Sequence, residues 1–445
     1  MGVDYSIVVN EIGYDDMNYL KSLFGIKYDV RLSFTESLIV YVGVLYLLNV
    51  VDSYFVWDYK NILTCVICLL VLLTIPLNEK SKLRLSKEDI SFFSVYSIYA
   101  VITIIQVAPD SVNIFYFFVK LCFFLPLFYL ILWPPKMLYG LYRAFYKIII
   151  LFSIGSIIIT LLGFFSLLDN VPYIELDAHE ALHENSGTYY RVYCGILTDY
   201  GGLVDHFVVR ACGFLCEPGH WAITLSIIYA VERLLKHTPN FVVVICGLLT
   251  FSTVFISVVI ISELCIITKR KHLKNILFFP IALMSIILVY FFLPSTIKDP
   301  IDEVLWERGT NDFIDMLYDS SITDALDTRA NDFGRDYYLR YIRSGNILWG
   351  DGSISKDRDF ILSDYRLVLI QQGVVGIILV FLTILASVKG LLLRDKIPLF
   401  AILLIILLHR AWMFQSPYFC LMVFIGRNQI RTTYKNVKFI RKAIV

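Results

Sequence analysis

The sequence predicts an all-α polytopic membrane protein with about twelve transmembrane segments, and three observations carry that prediction. The 445 residues are 58% hydrophobic and only 17% charged, with a mean hydropathy of +0.70. Soluble domains are nearer half apolar and a quarter charged. Apolar stretches long enough to cross about 30 Å of hydrocarbon recur along most of the chain. Basic residues gather in alternate loops, so a single orientation satisfies them. The net charge of +1 hides that sorting and says nothing about partners; a bilayer is expected around the chain, and no nucleic acid.

The segments follow in order. An N-terminal region, 1–168, holds five spans at 35–53, 60–76, 89–108, 111–132 and 148–168. Its first apolar run begins near Phe34 after a mixed-charge stretch, which does not read as a cleavable signal peptide. The loop NEKSKLRLSKED (78–89), with Lys80, Lys82, Arg84 and Lys87, is predicted to be cytoplasmic. So is PKMLYGLYRAFYK (135–147), with Lys136, Arg143 and Lys147. Residues 169–217 then fall outside, where Asp169, Glu175, Asp177, Glu180 and Glu184 outnumber basic groups.

Central spans occupy 218–294, at 218–235, 240–267 and 275–294. The run 240–267 is too long for one helix and has basic residues at both ends, so it predicts a pair of short helices turning near Thr250–Thr253. A second large extracytoplasmic segment, 295–363, is too long to be a mere connector. The C-terminal region, 364–445, holds a span at 365–388 and another hairpin pair at 397–426, breaking around His409–Pro417, then a cytoplasmic tail. Both termini are expected in the cytoplasm. Most cysteines lie in apolar segments and act as small hydrophobes; Cys194, Cys212 and Cys216 leave a disulfide open without fixing a pair.

The residues with chemical potential sit at the outer mouths of these spans. Arginines beside a bilayer usually mark a pathway or an anionic partner. In RACGFLCEPG (210–219), Arg210 precedes a helix that opens at Pro218, a residue suited to the first turn, with Glu217 favoured by the helix dipole. A local ion pair fixing the loop to the helix explains Arg210 and Glu217 as well as a functional role does. The segment LDTRANDFGRDYYLRYIRSGNILWGDGS adds Arg329 and Arg335 beside Asp327, Asp332 and Asp336, which is also the pattern of a solvated helix. Asp364 can cap the next span or serve as a general base. His220, His409 and Arg410 can reach a membrane cavity, and His220 can equally sit at the interface beside Trp221. No histidine set at zinc spacing accompanies the cysteines, so no metal is expected there; no cofactor is expected either. The 29 tyrosines and 33 phenylalanines suit sugar-stacking surfaces or interfacial belts alike.

The pattern R-x-x-G-F-x-x-E-P-G (Arg210, Gly213, Phe214, Glu217, Pro218, Gly219) resembles the signature of bacterial O-antigen and capsule polysaccharide polymerases of the Wzy type, relatives of the O-antigen ligases. The hairpin GLLTFSTV (247–254), Arg329 ahead of the G-x-G turn at Gly350 and Gly352, and the span with Gly373 and Gly376 extend the resemblance over roughly residues 190–390. Ligases of that superfamily carry a histidine where this chain has Ser363–Asp364, which points to the polymerase side.

The resemblance implies a metal-independent, GT-C-like glycosyltransferase of the bacterial inner membrane. Both donor and acceptor would be oligosaccharides linked to undecaprenyl diphosphate, and a chain-length regulator protein is a further expected partner. It also implies roles: Arg210 with Arg329, Arg335 and His220 at the diphosphate, and Glu217 or Asp364 near the acceptor hydroxyl. A ligase, a flippase of lipid-linked sugars and an inactive scaffold are the alternatives.

Overall fold

The computed structural model describes residues 32–51, 53–56, 59–76, 86–106, 114–165, 167–176, 190–199, 209–215, 217–234, 240–250, 252–267, 332–345, 347–352 and 364–444. The span expected at 275–294, Arg329 and most of 295–363 lie outside them. The described residues are mostly helical, in helices α1 (Phe34–Val50), α2 (Lys60–Leu73), α3 (Lys87–Gln106), α4 (Ile114–Ile131), α5 (Pro135–Phe164), α6 (Pro218–Leu234), α7 (Phe241–Leu249), α8 (Thr253–Ile267), α9 (Asp332–Ser344), α10 (Tyr365–Val388), α11 (Leu393–Arg410) and α12 (Pro417–Ile444). Among the described residues, four stretches are long and apolar enough to cross a membrane: Asp89–Gln106, Pro135–Phe164, Tyr365–Val388 and Asp395–Gln415. Shorter apolar helices accompany them, as in a helical membrane protein.

Local chemistry sets the helix starts. Ser33 and Glu36 close a reciprocal capping box on α1, at 2.7 and 3.2 Å, satisfying two of the N–H groups a helix start leaves open. Ser86 and Asp89 do the same for α3. Proline opens α5, α6 and α12, where its missing N–H costs nothing.

Two expectations are corrected. Residues 135–147, expected to be a loop, are the first turns of α5, which spans 30 residues, about 45 Å. Met137, Leu138, Leu141, Tyr142, Phe145 and Tyr146 recur at helical spacing and are buried, which is why the segment winds despite its charges. Within 169–217 the all-helical expectation misses four strands, β1 (Tyr173–Leu176), β2 (Tyr190–Tyr193), β3 (Ile196–Asp199) and β4 (Arg210–Gly213), in one antiparallel sheet of order 1-2-3-4. Cys194 and Gly195 turn β2 into β3 with φ of +50° and +83°, the two-residue hairpin geometry that matches strand twist. Among the described residues, Cys194 and Cys212 form no disulfide.

Helix α6 is the axis of the core. Nearly all of its residues are buried, from Pro218 to Leu234, and it packs against α7, α8, α11, α12 and β4. At the end of the bundle away from the sheet, Arg427 of α12 is fully buried. Its guanidinium meets the Asp89 carboxylate and donates to the Ala386 carbonyl at 3.2 Å, while Arg431 reaches the other Asp89 oxygen at 3.0 Å. One carboxylate thus ties α12 to α3. Removing one partner of a buried pair leaves an uncompensated charge, so Asp89→Asn should cost about 3–5 kcal/mol. Unfolding in mixed detergent micelles measures it.

Candidate functional site at the sheet end of the bundle

Three interruptions of the helical bundle meet at the sheet end. The first is the turn between α7 and α8, at Thr250–Ser252. The expected break near Thr250–Thr253 falls there. The second is a 3-10 segment, Ala411–Gln415, between α11 and α12, within the expected break around His409–Pro417. The third lies inside α10 at Gly373, where φ is +66° and ψ −168°.

Residues of the 210–219 motif are placed by these breaks. Arg210 begins β4, and its Nε and Nη2 both donate to the Thr250 carbonyl, at 3.3 and 3.2 Å. The strand is thereby fixed to the α7–α8 turn. Gly213 has φ of +64°, and a Cβ there would stand 2.7 Å from the buried Trp221 indole; only glycine meets both demands. Phe214 stacks edge-on against Trp221 at 5.3 Å, and the Trp221 Nε1–H donates to Cys246 Sγ. Glu217 begins α6, its carbonyl accepting from Trp221 N at 3.2 Å.

The Glu217 carboxylate lies 3.2 Å from Arg410 Nη1 and 3.4 Å from His220 Nε2. Arg410 crosses directly over Gly219, where a Cβ would stand 2.9 Å from its Nη2. The His220 ring packs 4.4 Å from Trp412. Arg410, His220 and Glu217 thus meet at the α6 N-terminus, where the helix dipole adds positive potential, while Arg210 is held on the neighbouring strand β4 at the Thr250 carbonyl. The sequence puts Arg410 within reach of a membrane cavity and gives it no partner. The signal it offered was an arginine inside an apolar hairpin run, costly there without a partner.

The third break is filled by chain from elsewhere. Val374 N donates to Ile347 O at 2.9 Å, and Val375 N to Leu348 O at 3.3 Å. In the other direction, Asp351 N and Gly352 N donate to the carbonyls of Ile370 and Gln371, at 2.6 and 3.2 Å. The 347–352 turn therefore supplies backbone bonds that the interruption of α10 removes, and Gln106 Nε2 donates to the Trp349 carbonyl at 2.5 Å. Gln415 Nε2 donates to Gln371 Oε1 at 2.9 Å, linking this break to the Arg410 segment.

Asp364 stands apart from the cluster, nine residues before Gly373, roughly 13 Å along the helix. It caps α10 by accepting from Arg366 N at 2.9 Å, and Arg366 Nε and Nη2 grip both of its oxygens at 2.6–3.0 Å. Arg335 falls on α9 by position, its side chain outside the described residues, as is all of Arg329. Compared with known proteins, the chain matches no protein-family model, no curated protein and no solved structure.

Proposed function

We propose that the chain is a membrane glycosyltransferase with a GT-C-like bundle of about twelve spans, polymerising lipid-linked oligosaccharide repeat units at the outer leaflet of a bacterial inner membrane. The observation that carries it is the meeting of Arg410, His220 and Glu217 at the N-terminus of α6, beside strand β4, which carries Arg210 and packs against that helix. Such a site suits a lipid diphosphate. In the reaction, an acceptor sugar hydroxyl attacks the anomeric carbon of the donor glycan. The bond from that carbon to the diphosphate oxygen breaks, and the diphosphate leaves on its lipid carrying the electron pair. Guanidinium groups meet phosphate oxygens with paired, charge-assisted bonds and stay ionised throughout. The hydroxyl proton passes to Glu217 or to His220, which share one ion-pair network. A chain-length regulator is a further partner of this reading.

Asp364 is the less suitable base, since both of its oxygens are held by Arg366. Loss of a general base costs about 100- to 10,000-fold. Asp364→Asn keeps the capping oxygen, and elongation by that variant should stay close to wild type.

A flippase of the same lipids is the second reading, and the break at Gly373 favours it. Interrupted helices with sites at the break are the mark of many transporters, and the described residues show one at Gly373 beyond the two hairpins that the sequence suggests.

The deciding experiment uses purified protein in lipid with diphosphate-linked repeat units. A ladder of products that survives EDTA and is lost in Arg210→Ala supports the polymerase. Transfer of the labelled lipid across vesicles without any ladder moves the assignment to a transporter, and transfer onto a lipid core alone moves it to a ligase.

A further inference from the structure

The turn that fills the α10 break presents a second surface, different in chemistry from the Arg410 cluster. Trp349 has 56% of its surface exposed although its backbone is tied to Gln106, and Asp351 is exposed beside it. The Asp351 carboxylate accepts from the Tyr337 hydroxyl of α9 at 2.5 Å. Burial and that carboxylate both push the Tyr337 hydroxyl up in pKa, so it remains a donor. The Arg340 guanidinium lies 5.8 Å from the Tyr337 ring centre.

An exposed indole on the same short turn as a carboxylate fixed by a tyrosine, with an arginine over that tyrosine, differs from a bilayer belt, where the polar tip of a tryptophan meets headgroups and an exposed carboxylate has no use. It also differs from a diphosphate site, since Asp351 repels an anion. What it matches is a neutral polyhydroxyl ligand: the apolar C–H face of a sugar ring lies on an indole, and a carboxylate accepts from two hydroxyls at once. The surface is rigid as well as exposed. Its backbone is bonded to α10 on both sides of Gly373, so little order has to be imposed on binding.

We propose that Trp349, Asp351 and Tyr337 form a glycan subsite that seats the acceptor sugar, with Trp349 as the stacking face and Asp351 as the hydroxyl acceptor. The subsite rests on the polymerase reading for its role, and its existence is testable without it. From Trp349 a chain of contacts runs through Gln106 and α10 to Gln371, then Gln415, and so to the segment carrying Arg410 and Trp412. The anionic and neutral parts of one substrate pair would thus lie on adjoining breaks.

The test is binding of free oligosaccharide, released by mild acid from the lipid-linked intermediates of the source cells, to full-length protein in nanodiscs. Saturation-transfer NMR and tryptophan fluorescence read the binding. Trp349→Ala and Asp351→Asn should each weaken it by about tenfold or more, equivalent to 1.4 kcal/mol. Trp349→Phe should retain most of it, and Arg210→Ala should leave it unchanged because the free sugar has no diphosphate. Equal melting temperatures show that the exposed substitutions leave the fold intact.

Wild-type affinity in Trp349→Ala overturns the proposal, as does saturable binding only of a protein partner and not of the sugar. The two hypotheses fail separately. Sugar binding lost in Trp349→Ala, with no polymer made by wild type, keeps the subsite and removes the polymerase. A normal product ladder from Trp349→Ala does the reverse.

Discussion

Arg210→Ala should lower glycan elongation by about 100- to 1,000-fold, the range measured when one preorganised donor to developing charge is removed. The expectation follows from what the guanidinium does twice over. It fixes β4 to the α7–α8 turn through the Thr250 carbonyl, and it carries a permanent positive charge on a strand that packs against α6. The first role alone is a hydrogen bond from a charged group, worth about 1.5–3 kcal/mol of stability. Arg210→Lys separates the two. Lysine keeps the charge as a point donor, and it cannot span the Thr250 carbonyl and a phosphate with one planar fork. We expect Arg210→Lys to lose most of the elongation rate while its melting temperature falls only a little. A parallel fall of rate and stability in both variants would make Arg210 a structural clasp and leave the chemistry to Arg410. Combining Arg210→Ala with Arg410→Ala checks this: groups that act on one anion give losses that do not add.

How much of this was legible in the sequence depends on the range over which each signal acts. The breaks at 250–252 and 411–416 were readable because each interrupts an apolar run with polar, charged or proline residues, and basic residues flank both ends. Pro218 at the start of α6 was readable for the same local reason. The sheet was not, since four-residue strands such as YRVY and ILTD give too few alternations to stand out beside long apolar helices. The Cys194–Gly195 dipeptide between them was the available clue. The pairing of Glu217 with Arg410 joins residues far apart in the chain, and no spacing rule reaches it. Within the same motif, Glu217 was legible as a helix-start carboxylate, and its partner was not.

Gly373→Ala should destabilise the protein, and the sign of that change is the informative part. LVLIQQGVVGI reads as ordinary apolar helix, and in a continuous helix alanine would stabilise by about 0.8–1.0 kcal/mol over glycine. Here the residue has φ of +66°, and a Cβ would overlap the Leu348 carbonyl oxygen. A non-glycine residue in such a conformation costs about 1–3 kcal/mol. The Leu348 carbonyl must also withdraw, and it is the acceptor for Val375 N. Leaving this partly buried donor without its partner adds about 1 kcal/mol more. The loss should therefore be several kcal/mol in Gly373→Ala, and Gly373→Val should fail to accumulate in folded form. Fluorescence-detected gel filtration after heating gives the comparison. A higher melting temperature in Gly373→Ala would mean that α10 is continuous, and it would remove both the seated Trp349 turn and the transporter-like break at once. A lower one would show that the 347–352 turn and the two halves of α10 hold one another in place, which is what a rigid platform beside the Arg410 segment requires.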